Sequence, residues 1–325
     1  MAWARFLTSV VPVATFLLLL LGSIVHTAGA SLACPDWPLC YGQVFPPMQG
    51  GILLEHSHRL LAAGVGLLTL ALLAATQLVS QLQPLRRWAA FGVALVVFQG
   101  LLGGLTVILR LPALVSIAHL GCSMLFFAWS AKMAFLVRAP PPSRRLAAEG
   151  PRLGVALAAF AVLMQILLGA LVRHSQSSMA CGTEVLTCAG AWWPQEPRQW
   201  VQSAHRLGAL VAGLVVIAGT VGAMGWARRA GRRTAYRLAC LAHATLVVQW
   251  AMGVLVVKTS VHLHVTTVHL GLGALLWGAL VACFLALGPL GGRQTLARAV
   301  QEAAARAAQA PRLGSLDEAL QPHRR

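Results

Sequence analysis

The chain has 325 residues, of which 58% are hydrophobic types and only 10% are charged; an ordinary soluble domain carries roughly 25% charged residues. So few charges cannot cover a soluble globule of this length, which excludes a soluble enzyme and a disordered chain alike. The net charge of +17 would suit a nucleic-acid partner, but membrane proteins concentrate Lys and Arg on cytoplasmic loops, and the charges here fall in that pattern.

A membrane-spanning helix needs about 20 mostly apolar residues. Eight stretches qualify, at about 9–29, 56–78, 88–108, 114–137, 153–173, 202–225, 237–257 and 265–288. The first has the look of a signal peptide, with Arg5, an apolar run and Ala28-Gly29-Ala30. It is read as retained, because it has a counterpart later in the chain. With the N-terminus inside, 19 basic residues fall on the inner side and six on the outer. This asymmetry predicts both termini in the cytoplasm.

The spans fall into two similar halves. Leu21-Gly22, Val25 and Ala33-Cys34 keep the spacing of Leu168-Gly169, Val172 and Ala180-Cys181, and 24 residues separate Cys34 from His58 and Cys181 from His205. Gln99, Gly103, Leu105, Val107 and His119-Leu120-Gly121 match Gln249, Gly253, Leu255, Val257 and His269-Leu270-Gly271. The predicted fold is an all-α polytopic membrane protein: eight transmembrane helices in two like-oriented four-helix bundles, related by an internal repeat. The predicted domains are an N-terminal half over 1–139, a cytoplasmic linker over 140–152, a C-terminal half over 153–290 and a cytoplasmic tail over 291–325.

Each half offers two histidines on facing helices near the outer face, His58 with His119 and His205 with His269. Ligand and metal sites in helical bundles are built this way, and an ionisable side chain inside a membrane is read as functional by default. Zinc ordinarily takes four ligands, whereas two histidines across a gap suit axial ligation of haem iron. Small residues follow each histidine and leave room for a flat ligand: Gly64 and Gly66, Gly121, Gly208, and Gly271 and Gly273. Arg59 and Arg206 sit beside the ligand candidates, placed either to pair with haem propionates or to snorkel to the interface. His26, His56, His174, His243, His262 and His264 are read as structural, with His56 and His264 as candidate neighbours of the site.

The halves differ three residues before the first histidine, where Glu55 stands in one and Gln202 in the other. That separation puts the side chain one turn from the ligand on the same face. A carboxylate exchanges protons and stabilises positive charge, and an amide does not titrate. Glu55 therefore marks the first half for chemistry, unless it only serves the helix N-terminus. Cys34 and Cys40, and Cys181 and Cys188, lie in matching outer loops where disulfides are permitted. Bracing of the loop and redox exchange with an external thiol both remain open for them. Cys122, Cys240 and Cys283 read as small apolar residues within spans.

The eight spans in two halves, Glu55-x-x-His58-Arg59, His119, Gln202-x-x-His205-Arg206, His269 and the Cys34/Cys40 pair together resemble the haem A synthase family over about residues 5–290. A second cysteine pair is not general in that family. The resemblance implies that the first half binds haem O through His58 and His119, with Glu55 as the essential acid, and that the second half holds haem b between His205 and His269. It implies oxidation of the C8 methyl of haem O to a formyl group by two hydroxylations and loss of water, with cationic intermediates that a carboxylate stabilises. It also implies a bacterial inner-membrane location, haem A as product, and haem O synthase (a protohaem farnesyltransferase) and cytochrome oxidase assembly factors as partners. Membrane lipid is the solvent; self-association is left open. The rival readings are a two-haem b-type electron-transfer cytochrome, which does not account for Glu55, and a transporter, which the clustering of ligand candidates at one face opposes.

Overall fold

In the computed structural model the described residues are 2–138 and 149–288; most of the expected linker and the whole of the expected tail lie outside them. Eight long helices follow one another: α1 (Ala2–Thr27), α2 (Gly50–Leu78), α3 (Arg86–Ile108), α4 (Ala113–Arg138), α5 (Glu149–His174), α6 (Pro197–Arg229), α7 (Arg233–Lys258) and α8 (Leu263–Ala286). Every one is long and apolar enough to cross a membrane. A 3₁₀ turn over Ser80–Leu85, containing Pro84, joins α2 to α3, and no strand occurs among the described residues. The protein is an all-α integral membrane protein. In hydrocarbon the backbone must satisfy its own hydrogen bonds, which is why long helices are the solution this composition reaches.

Helices α1 to α4 pack in a ring, α1 on α2, α2 on α3, α3 on α4 and α4 on α1, and α5 to α8 do the same. The two rings touch through α1, α4, α5 and α8. Small residues set this contact: Leu167 of α5 lies over Gly121 of α4, and Leu20 of α1 lies over Gly271 of α8. Between α5 and α6 the backbones nearly meet, since a Cβ on Gly219 would lie 2.5 Å from the Gly154 carbonyl oxygen. Close approach through small residues is the main source of helix adhesion in lipid, where apolar side chains gain little by leaving one hydrocarbon for another. The outward faces accordingly keep exposed Leu67, Phe98, Leu101, Leu207 and Leu214.

Two turns place the helices that carry the second histidine of each pair. After α3, Arg110 and Leu111 take positive φ, and after α7 Ser260 and Val261 do the same. The Leu111 amide donates to Thr106 O (2.7 Å) and the Val261 amide to Val256 O (2.9 Å), closing the exposed helix ends.

Two indoles lock neighbouring helices. Trp129 of α4 fills the space at Gly92 and donates to Trp88 O at 2.8 Å; Trp250 of α7 fills the space at Gly213 and donates to Ala209 O at 3.1 Å. A Cβ at Gly92 or Gly213 would fall 2.0 Å from the indole. Replacing either glycine with Ala should therefore cost about 1–3 kcal/mol through overpacking, seen as a lower thermal midpoint in detergent. Gly64→Ala, where a Cβ meets nothing within 4 Å, should leave the midpoint unchanged or raise it.

Candidate functional site

All four histidines stand opposite a missing side chain. A Cβ on Gly22 (α1) would lie 3.0 Å from His58 Cε1, on Gly103 (α3) 3.0 Å from His119 Cε1, on Gly169 (α5) 3.0 Å from His205 Cε1, and on Gly253 (α7) 3.3 Å from His269 Cε1. Each imidazole thus lies against the bare backbone of the neighbouring helix. His58 is within electrostatic reach of His119, and His205 of His269, so each pair faces into its own ring of helices. Each of the four side chains keeps part of its surface open.

The glycines that lie against the imidazoles are on the neighbouring helices and differ from those that follow each histidine in sequence. Gly64 and Gly66 face nothing within 4 Å, Gly121 and Gly271 join the two rings, Gly208 lies against the Gln165 amide, and Gly273 lies beside Gln249. The working glycines were visible only as matched positions of the two halves, because which helix faces a histidine is a tertiary fact.

Amides attend three of the imidazoles. Gln99 Nε2 lies 3.1 Å from His119 Nδ1, Gln249 Nε2 lies 3.4 Å from His269 Nε2, and Gln165 Nε2 lies 2.9 Å from His205 Nδ1 while donating to His205 O at 2.7 Å. Several buried polar atoms have no partner: His58 Nδ1, His269 Nδ1, Gln99 Oε1, Gln249 Oε1, Ser116 Oγ and Thr266 Oγ1. Ser116 and Thr266 stand one turn before His119 and His269, on the ligand face. Paired imidazoles, a glycine opposite each and unsatisfied polar atoms around them suit an iron porphyrin held between helices. A set of two histidines without a thiolate or carboxylate in each pair does not resemble a structural zinc site.

Glu55 is not a helix cap. The helix begins at Gly50, five residues earlier. Glu55 is 4% exposed; its Oε2 accepts from the Cys34 amide at 2.8 Å, and its Oε1 pairs with Arg59 Nη2 at 2.5 Å. Gln202 takes the same place in the second half, with Oε1 accepting from the Cys181 amide at 2.7 Å and Nε2 donating to Ser178 O at 2.7 Å. The two residues therefore share one structural task, to hold the cysteine loop, and differ in charge and in their second partner, Arg59 for Glu55 and Ser178 O for Gln202.

The arginines complete the clamp. Arg59 donates to Asp36 O (2.6 Å), Cys34 O (3.1 Å) and Leu39 O; Arg206 donates to Glu184 O (2.7 Å) and Thr187 O (3.0 Å). Their visible work is to staple the loops, a role that neither propionate pairing nor snorkelling anticipated. The loops have carboxylate pivots as well. The Gly42 amide, which donates to Asp36, holds that carboxyl below its usual range, and the Thr187 hydroxyl does the same for Glu184. Both loops carry a disulfide, Cys34–Cys40 and Cys181–Cys188. Cys122, Cys240 and Cys283 are free.

The remaining histidines are spread about the molecule. His26 and His174 stack with ring centres 4.7 Å apart, His243 Nδ1 meets Thr220 Oγ1 at 3.3 Å, and His262 and His264 lie 5.4 Å apart. His56 is buried beside the first disulfide, with Nε2 donating to Val44 O at 2.7 Å.

Comparison with known proteins decides the family. The family model of the COX15-CtaA cytochrome oxidase assembly proteins matches residues 49–281. The chain belongs to this family. It is 32% identical to a protein named Heme A synthase from Symbiobacterium thermophilum, over 86% of this chain and 94% of that one. It is 28% identical to the Heme A synthase of Geobacillus kaustophilus, over 94% and 98% of the two chains, and 27% identical to that of Bacillus licheniformis, over 85% and 92%.

The glycine contacts yield a test. Gly169→Val should push His205 out of place; overpacking of about 1–3 kcal/mol corresponds to roughly five- to 150-fold weaker binding of a porphyrin held there. Haem titration of the purified variant, read by its Soret band, measures this, with Gly66→Val as the control that leaves affinity unchanged.

Proposed function

We propose that this chain is a haem A synthase, which oxidises the C8 methyl of haem O to the formyl group of haem A. Haem O is the substrate of the first half, held by His58 and His119. Haem b is the resident cofactor of the second half, held by His205 and His269. The observation that carries the assignment is a chemical difference between two similar clamps: an ion-paired carboxylate at Glu55 where the other half has the neutral Gln202. Membership of a family whose similar relatives are named for this activity supports it.

Turning a methyl into a formyl group with the oxygen of water releases four electrons and four protons. When bound, the iron porphyrins would supply the redox chemistry, and an outside electron acceptor would take up the four electrons. The chain supplies the rest. His58 and His119 would hold the substrate, and the bare backbones at Gly22 and Gly103 leave them the space. Glu55 is held in place by Arg59 and the Cys34 amide, one turn from His58. There it stabilises positive charge developing at the methyl carbon and receives protons from it. Trp37 of the first loop lies over Gly104 of α3, beside Gly103, and shields this half from water. No matching indole is needed in a half that only holds a cofactor.

The chain would sit in the bacterial inner membrane with both termini cytoplasmic and the cysteine loops outside. The two halves, 1–139 and 153–290, would be copies of one haem-binding unit joined by the linker over 140–152. A farnesyltransferase acting on protohaem would supply the substrate, and cytochrome oxidase assembly would consume the product.

Extraction of pigment from the protein co-expressed with a haem O synthase tests the proposal. The wild type should yield haem A or its hydroxymethyl precursor together with haem b. Glu55→Gln should keep haem b and lower product formation by at least about 100-fold, the scale of a lost acid–base group. His205→Ala should lose haem b. Haem b as the sole pigment of the wild type would sink the assignment and favour the electron carrier.

A further inference from the structure

The first cysteine loop contains more than a brace. Both sulfurs of Cys34 and Cys40 and a ring nitrogen of His56 lie within 4.8 Å of one another, the only such group of three among the described residues. Both cysteines are fully buried and His56 is 3% exposed. Its Nε2 donates to Val44 O, which leaves Nδ1 as a lone-pair nitrogen, and that atom is buried with no partner. An imidazole with an unused lone pair, held beside two sulfurs, is placed to ligate.

The second loop lacks this nitrogen. The residue 22 positions after Cys181 is Ser203, as His56 is 22 after Cys34; its Oγ lies 3.7 Å from Cys181 Sγ. The two disulfides thus brace equivalent loops, and one alone has a third ligand. A purely bracing role gives no reason for the difference.

We propose that, in the dithiol state in which the chain is first made, Cys34, Cys40 and His56 bind one copper(I) ion, and that the metal and the Cys34–Cys40 disulfide are alternative states of the loop. Two thiols and the unpartnered Nδ1 of His56 take up the ion and release two protons, with no change of oxidation state. The ligand set selects the metal. Thiolates favour soft ions, and three ligands suit trigonal copper(I), whereas structural zinc wants a fourth. The neighbouring carboxylate, Glu55, is already occupied by Arg59 and the Cys34 amide. The product carries one negative charge, and Arg59 lies against the carbonyls of Cys34 and Leu39, next to both cysteines. This inference does not depend on the haem reaction.

The test uses the full chain purified in detergent under a phosphine reductant. Copper(I), supplied as its acetonitrile complex, is titrated against a chromogenic chelator. One ion per chain should bind to the reduced protein and none to the oxidised protein. Cys34→Ser should abolish binding. Loss of a group merely supporting a metal ligand costs about tenfold or more, so His56→Ala should weaken binding by at least that factor. The double change Cys181→Ser, Cys188→Ser should leave it intact. X-ray absorption should show two sulfurs and one nitrogen around copper, a readout independent of how well the variants fold. Absence of binding, binding that survives Cys34→Ser, or uptake of zinc(II) in preference to copper(I) would overturn the proposal.

Discussion

An imidazole can point between two packed transmembrane helices only where the facing helix offers no side chain. Four glycines, Gly22, Gly103, Gly169 and Gly253, meet that requirement one for each histidine. A methyl at any of them would crowd the ring, and in a close-packed interior the ring would have to move. The placement of each imidazole follows from this constraint. The small residues elsewhere do different work: Gly121 and Gly271 bring the two rings of helices together, and Gly92 and Gly213 seat tryptophans.

A second device ties the loops to the same helices. Glu55 and Gln202 each accept a hydrogen bond from a cysteine amide 21 residues earlier in the chain, and Arg59 and Arg206 gather loop carbonyls. The histidine at 58 or 205 therefore sits within one turn of residues that bind the loop above it. Because the clamp works with either an acid or an amide, its geometry does not need the charge at Glu55. The second half keeps the same loop attachment without that charge. The first loop adds His56 and Trp37 to this scaffold, so the asymmetry between the halves extends to the loop as well as the clamp.

Much of this was open to inspection of the chain. The eight spans were readable because crossing a membrane demands long apolar runs, and the helix ends moved by only a few residues, as at α6, which starts at Pro197 rather than near 202. The four histidines stood out because their spacings recur. Less was readable of what each neighbour does. Glu55 passed for a possible helix cap, and Arg59 for a partner of propionates or of the membrane interface. Both roles turn on a loop that folds back over twenty residues, and no local pattern reports such a contact. The site amides, Gln99 and Gln249, were visible as matched residues without a function, and Gln165 gave no signal, since its counterpart position holds Leu18.

Composition, periodicity and repeated spacing, by themselves, determined that this is a helical membrane protein, how many spans it has, and which histidines recur as matched pairs. These properties depend on the solvent and on residue type, and each position states them independently of its neighbours in space. Only the tertiary structure decided which glycine faces which imidazole, which side chain holds each cysteine loop, and that His56 lies beside one disulfide. Those facts arise from the rotation of one helix against another and from the path of a loop. They are set by the packing of the whole molecule, which no single stretch of the chain specifies.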